Sequence, residues 1–246
     1  MMDNLSIEKI EQLVKDRLIV KSGDKDYTAA SLKPIIFDPR PNTLIVHSLR
    51  GFCGFINNDI DKLINGKPHL IVVNSPDSVD LISAVIGENM KRTILISANT
   101  SDTLKEFPFA KFLLQEDFAI LFRSLFVKKD NDDYDYVLSY ASKLIGGTQL
   151  ENDDDGITQK ATIKRGVSGV LKEKEALRPI VKLSPYRTFR EVEQSQSEFL
   201  FRVKLDANDN PTVALFEADG GAWENDATHN IVEYIQSLIP NIPVIA

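Results

Sequence analysis

The residues of this chain best equipped for chemistry gather in its last third. Glu217-Ala218-Asp219-Gly220-Gly221-Ala222-Trp223-Glu224-Asn225-Asp226 is its most unusual segment. Two carboxylates two residues apart at a strand end point to one face, where they could share a divalent metal. The glycines could let a phosphate approach the N-terminus of the helix that follows. A plainer reading outweighs both. Gly-Gly is an ordinary way to turn from strand to helix, Trp223 can plug the core underneath, and four nearby carboxylates repel an anion. Just upstream, the run from Pro185 to Gln194 carries Arg187 and Arg190. Were that run to pair with 198–205, both would lie near Arg202 and Lys204. Such a cluster could bind phosphate or a nucleic-acid backbone. Ion pairs with Glu191, Glu193, Glu198 and Glu217 are the stronger expectation.

Other candidates are weaker. Asp153-Asp154-Asp155-Gly156 resembles part of a cation loop, but the alternating ligands and closing Glu of a calcium loop are missing, so a solvated loop is expected. Cys53, in Gly51-Phe52-Cys53-Gly54-Phe55, has apolar neighbours and no adjacent base, and reads as a packing residue. As the single cysteine it can form no intramolecular disulfide and no cysteine-based zinc site. His47, His69 and His229 have no metal-ligand spacing. The sequence contains no GxSxG, Walker-type GxxxxGK[ST], HExxH, CxxC or GxGxxG motif. No catalytic residue, metal or cofactor is assigned from it.

The bulk numbers bound the class of protein. The chain has 246 residues, with 29 Lys and Arg against 36 Asp and Glu, a formal charge of −7. It is 43% hydrophobic with 12 Gly and 11 Pro, values that exclude disordered, collagenous and disulfide-scaffold classes. The acidic balance disfavours non-specific duplex binding, though a local basic groove on a single-strand binder remains compatible with it. The first residues lack a basic region followed by an apolar stretch, and no apolar run reaches the roughly 18 residues of a spanning helix. A soluble protein without membrane contact, in a reducing cytoplasm, is expected.

Periodicity predicts the elements that would position these groups. Ser6–Ile19 has helical spacing with Asn4 or Ser6 as cap, followed by a polar turn around Gly23. Thr43–His47 reads as a strand, and Ser48 caps a helix over Leu49–Ile64. His69–Asn74 is a second strand. Ser75-Pro76 then looks like a cap and first helical residue, which predicts a helix over Asp77–Glu88 before a third strand at Arg92–Ala98. Phe118, Phe122 and Phe126 recur at helical spacing beside Leu114, Leu121 and Leu125. A core helix explains this better than a base-stacking platform, since leucines rather than cations flank the stripe. Another helix spans Tyr136–Ile145, ended by Gly146-Gly147.

The polar run 149–156 marks a change of character. Alternation then predicts strands within 157–165, 179–183, 186–192 and 198–205, with Phe199, Phe201, Val203 and Leu205 on one face. Asn208-Asp209-Asn210-Pro211 is a turn, Thr212–Glu217 the return strand, and Asn225 or Asp226 caps a final helix through Leu238. The expected class is α+β. An α/β-like portion of short strands and helices (1–148) is followed by an antiparallel sheet closed by a helix (149–246), the two being separate or integrated into one domain.

Three stretches resemble an uncharacterised family of tailed-phage and prophage proteins, the YfdQ-like family: Leu183–Gln194, Ser197–Arg202 and Ala214–Trp223. Thr43–Asp61 and Leu70–Val79 look like it more weakly. The resemblance implies expression in a bacterial host cytoplasm, and carries no catalytic residues with it. Three functions are then weighed. The leading expectation is a non-enzymatic phage accessory protein that self-associates and binds a host, defence, replication or recombination protein. The alternatives are a nucleic-acid-binding accessory using Arg187, Arg190, Arg202 and Lys204, and a metal-dependent hydrolase using Glu217 and Asp219, with Asp226. Glu217, Asp219, Trp223 and the four cations are the candidate binding residues.

Overall fold

A computed structural model describes residues 4–15, 19–28, 41–85, 90–101, 106–144, 149–151, 160–164 and 172–246. The chain divides into two compact units, Met1–Asn42 and Thr43–Ala246. In the first, helix α1 (Asn4–Lys15) covers most of the expected helix, and β1 (Ile19–Ser22) and β2 (Lys25–Thr28) form an antiparallel hairpin. Gly23, at φ 63°, makes its turn, a left-handed conformation that suits glycine.

The second unit is α+β and contains two five-stranded sheets. One is mixed. It is formed by β3 (Leu44–Val46), β4 (His69–Ser75), β5 (Ser78–Ser83), β6 (Ile94–Asn99) and β15 (Val244–Ile245), in the order β15-β4-β5-β6-β3. Only β3–β6 and β15–β4 are parallel. The other is antiparallel, in the order β7-β14-β13-β12-β8. It is formed by β7 (Leu113–Leu114), β8 (Phe126–Val127), β12 (Ile180–Pro185), β13 (Ser197–Leu205) and β14 (Pro211–Glu217). A three-stranded antiparallel sheet is made by β9 (Gln149–Glu151), β10 (Lys160–Lys164) and β11 (Lys172–Ala176). The helices of this unit are α2 (Leu49–Asn58), α3 (Gln115–Leu125), α4 (Tyr134–Lys143) and α5 (Ala222–Leu238).

Strands cross the sequence boundary expected near 148. β7 and β8 come from before it and join the later sheet, while β15, the last strand, joins the earlier one. Residues 43–246 form one compact unit. Two apolar clusters fill this unit. One packs Phe118 and Phe122 of α3 and Val137 and Tyr140 of α4 against Phe199, Phe201 and Val203 of β13. The other packs α2 and α5 on the mixed sheet through Leu49, Phe52, Ile71, Leu81, Ile231 and Ile235. The phenylalanine stripe is thus core, with the Phe118 and Phe122 rings stacked 5.6 Å apart. β13 matches its alternation pattern, burying Phe199, Phe201 and Val203 while Glu198 and Lys204 are exposed.

The expected helix over 77–88 is corrected: residues 78–83 form a strand. Pro76 and Asp77 turn a hairpin instead of starting a helix, and burial follows period two through Val79, Leu81 and Ser83. Asp80 then lies where only a strand could place it, accepting from Ser97 Oγ at 2.5 Å and Asn74 Nδ2 at 2.9 Å. The front half is correspondingly less α/β-like than its spacing suggested. The helix after Ser48 is capped as expected, with Ser48 Oγ accepting from Gly51 N–H at 3.1 Å. A Cβ on Gly51 would come within 2.9 Å of that oxygen. The helix stops at Asn58 rather than Ile64 because Asp59 turns left-handed. Its carboxylate takes the N–H groups of Leu63, Ile64 and Asn65 at 2.8–2.9 Å. α5 begins at Ala222, earlier than Asn225, with Gly221 at φ 82° as its cap. The acidic loop 153–156 and the Gly146-Gly147 stop lie outside the described residues. Among the described residues no helix is long and apolar enough to cross a membrane.

Candidate functional site

Residues 186–192 are not the alternating strand expected of them. After β12 the chain leaves the antiparallel sheet and folds into an irregular loop, because both of its apolar residues are claimed elsewhere: Phe189 and Val192 are buried in the cluster under the mixed sheet. Gln194, buried, organises the loop from within. Its Oε1 accepts from Arg187 N–H at 3.1 Å, and its Nε2 donates to the carbonyls of Phe189 and Val192 at 3.0 and 3.1 Å. Lys129 Nζ donates to Glu193 Oε1 at 2.7 Å and to the Gln194 carbonyl. Asn230 of α5 donates to the Glu193 carbonyl at 3.1 Å. Thr188 Oγ1 donates to the Pro76 carbonyl, tying the loop to the β4–β5 turn. That turn is held in its own right, since Thr100 N–H donates to the Asp77 carbonyl at 3.0 Å.

Arg187 is therefore presented at a fixed place. Its guanidinium carbon lies 4.7 Å from the Phe109 ring centroid, 5.1 Å from Phe199 and 4.8 Å from Trp223. Nη2 is 2.8 Å from Glu217 Oε1, with the Arg187 side chain 9% exposed and that of Glu217 47%. Strand register explains the meeting. Glu217 of β14 stands opposite Phe199 of β13, and directly opposed residues share a face. Burial lowers the pKa of Arg187 from its ordinary value, opposed by the charges of Glu217, Asp219, Glu106 and Glu224. Its Nε and Nη1 are shut away from solvent with no hydrogen-bond partner among the described residues.

β14 ends at Glu217 and Asp219 lies in the bend that follows, so the two are not successive residues of one strand face, and each has a partner within the protein. Asp219 Oδ1 accepts from Gly221 N–H at 3.1 Å. Burial alone would raise its pKa, yet the Ser197 side chain, the Gly221 N–H and the Arg187 charge hold it below the usual carboxylate range. Among the described residues no group of three or more His, Cys, Asp and Glu side chains could hold a metal ion. Trp223 is half-buried on the wall of a cleft, its ring against Arg187, and so is not a plug beneath the core. Burial, with the charge of Glu191, pushes the Cys53 thiol up to about 11, in keeping with a packing role.

The structure does not bring the four cations together by the pairing of 185–194 with 198–205. β13 pairs instead with β12 and β14. Arg187 sits on the Phe199 side of the sheet, whereas pleating sends Arg202 and Lys204 to the opposite side. Lys204 Nζ is 3.9 Å from the Phe112 ring centroid there, and Arg190 lies over Tyr186 at 5.3 Å.

What the arrangement creates is an open cleft of about 710 Å³. Its wall includes the β4–β5 turn, the end of β6, Tyr186 and Arg187, and the first turn of α5 with Trp223 and Glu224. Asp77, Glu106 and Glu224 are exposed around it. A smaller hollow of about 410 Å³, bordered by His47, Ser48, Arg190 and Glu191, shares Thr100 and Ser101 with the first. Sequence reasoning missed the β4–β5 turn, Thr100, Glu106, Phe109 and the ordering role of Gln194. Each lies far from Arg187 in sequence or carries no motif, and no local pattern marks it. Comparison with protein-family models, with curated proteins and with solved structures finds no match to this chain.

Proposed function

We propose that this chain is a non-enzymatic binding protein that engages a protein partner at the cleft beside Trp223 and self-associates. The resemblance to tailed-phage and prophage proteins suggests the setting, a bacterial host cytoplasm during infection or lysogeny. One observation carries the reading. Arg187, which lines the open cleft, is held by the Glu217 carboxylate and by the Phe109, Phe199 and Trp223 rings, while the Asp219 carboxylate is taken up by the Gly221 N–H. Groups spent in that way shape a surface for recognition and are not free to turn over a substrate. The separation of Arg187 from Arg202 and Lys204 supports a protein partner over a nucleic-acid strand, which needs a continuous basic track.

The test is a photo-crosslinking aromatic residue in place of Tyr186, which lines the cleft, introduced into the chain in cells that naturally express it. A discrete protein adduct is expected. Adducts to nucleic acid alone would overturn the reading in favour of the nucleic-acid accessory. The absence of any adduct would overturn it outright. Millimolar Mn or Mg is expected to leave the melting temperature unchanged. A rise in the wild type that vanishes in Glu217→Ala would replace this reading with a metal-dependent hydrolase.

A further inference from the structure

We infer that the occupant of the cleft is a polypeptide segment bearing lysine or arginine. The inference rests on the reading above, and names the chemistry of the partner.

Charge comes first. Asp77, Glu106 and Glu224 are exposed carboxylates at the cleft. Arg187 is a cation in the same wall, but its guanidinium nitrogens are sealed from solvent and Glu217 lies 2.8 Å from Nη2. An approaching ligand therefore meets negative charge. Phosphates and acidic segments are repelled, and ammonium or guanidinium groups are attracted. Tyr186 and Trp223 add aromatic faces of the kind that hold cations, and each already holds an arginine of this chain, 5.3 and 4.8 Å from its ring centroid.

Arg187 then distinguishes a peptide from a simple polyamine. A guanidinium 9% exposed, with Nε and Nη1 lacking an acceptor, carries an unmet demand for hydrogen bonds. An anion in that position would face four carboxylates already felt by Arg187: Glu217, Asp219, Glu106 and Glu224. An uncharged oxygen would not. A peptide offers its backbone carbonyls as neutral acceptors beside its cationic side chains, and the half-buried Trp223 ring is the cleft-wall group that stands over Arg187. A polyamine offers no such acceptor. The two hollows adjoin, sharing Thr100 and Ser101 in their walls, and the smaller carries Arg190 beside Glu191, so the cationic side chains are placed in the larger one.

Trp223 is the single tryptophan of the chain, so its emission reports this site alone. The intact protein is titrated with an acetylated, amidated Gly-Lys-Gly-Lys-Gly-Ala peptide, its glutamate counterpart, spermidine and inorganic phosphate. A saturable change in emission is expected with the lysine peptide, weaker binding with spermidine, and none with the other two. The E106Q/E224Q variant is expected to bind the lysine peptide at least about fivefold more weakly, the size of one modest ion pair. Its melting temperature should not move, because both side chains are exposed. The charge-matched control D61N/E233Q, altered outside the cleft, is expected to bind as the wild type does. Equal or tighter binding of phosphate or the glutamate peptide would overturn the inference. So would undiminished binding by E106Q/E224Q, spermidine matching the peptide, or an emission that no probe changes. If the Tyr186 position still crosslinks to a protein in that event, this inference falls and the binding reading stands; if neither responds, both fall.

Discussion

Three aromatic rings around one guanidinium make Arg187 as much a packing residue as a charged one. Its stem and planar head cover Phe109, Phe199 and Trp223, while only one edge reaches Glu217. Arg187→Ala is therefore expected to lower stability by about 2–3 kcal/mol, less than a fully buried pair would lose because Glu217 keeps solvent contact. Arg187→Met, which keeps most of the contact, should cost about 1 kcal/mol. Urea unfolding of the two variants measures this, and equal losses would show that charge rather than packing dominates. The ion pair of Arg187 with Glu217 was legible as one of several possible pairings. The three rings were not, because they come from three separate segments.

Asp59 supports a pH prediction. Backbone N–H groups, that of Asn65 foremost and then those of Ile64 and Leu63, outweigh burial and hold its pKa below the ordinary value. A depressed folded-state pKa contributes stability above the unfolded value, near pH 3.9, that is lost as pH falls through the folded value. Melting temperature should thus fall more steeply below about pH 4 in the wild type than in Asp59→Asn. Parallel curves would remove the carboxylate from this role.

Single residues also decide the behaviour of elements. Gln194 is the hub of the loop that carries Arg187, Thr188 and Phe189, with one acceptor and two donor bonds inside it. Gln194→Ala is expected to cost about 1–3 kcal/mol by leaving buried backbone groups unpaired. Hydrogen exchange should quicken at residues 187–192 while β13 keeps its protection; unchanged exchange in the loop would refute the hub. Gly221 caps α5 at φ 82°, and no atom lies within 4 Å of where its Cβ would stand. Gly221→Ala should consequently cost about 1–2 kcal/mol from backbone strain alone. A thermal melt equal to wild type would show that the helix start relaxes at no cost.

Elements with one buried face were readable, and those whose partners lie far away were not. β13 alternates cleanly because one face packs on α3 and α4. β5 carries Ser75-Pro76-Asp77 ahead of it, a local helix-start signal, yet pairing with β4 and β6 on both sides overrides that signal. The run 186–192 departs from the expected strand for a comparable reason. Its buried apolar residues, Phe189 and Val192, are three apart rather than alternate and pack in the cluster of the mixed sheet, and among the described residues no strand pairs with it.

At the scale of the whole molecule, self-association is the outstanding expectation. β3 ends the mixed sheet, with Leu44 44% and Ile45 60% exposed. An edge strand with apolar side chains in water invites pairing with another copy. Light scattering should give a mass that is a multiple of 27.6 kDa, and Ile45→Lys should return the monomer. A single 27.6 kDa species for the wild type at working concentration would remove the homo-oligomer.

Local periodicity by itself determined the α+β class, the buried phenylalanine stripe, the β13–β14 hairpin and the capped start of α2. All of these follow from which residues must leave water and from backbone groups bonding to near neighbours. The exchange of β7, β8 and β15 between sheets, the irregular loop at Arg187 and the acidic cleft were decided only by tertiary structure. Each depends on segments remote in sequence competing for the same partners, and that competition is settled by packing the whole unit at once.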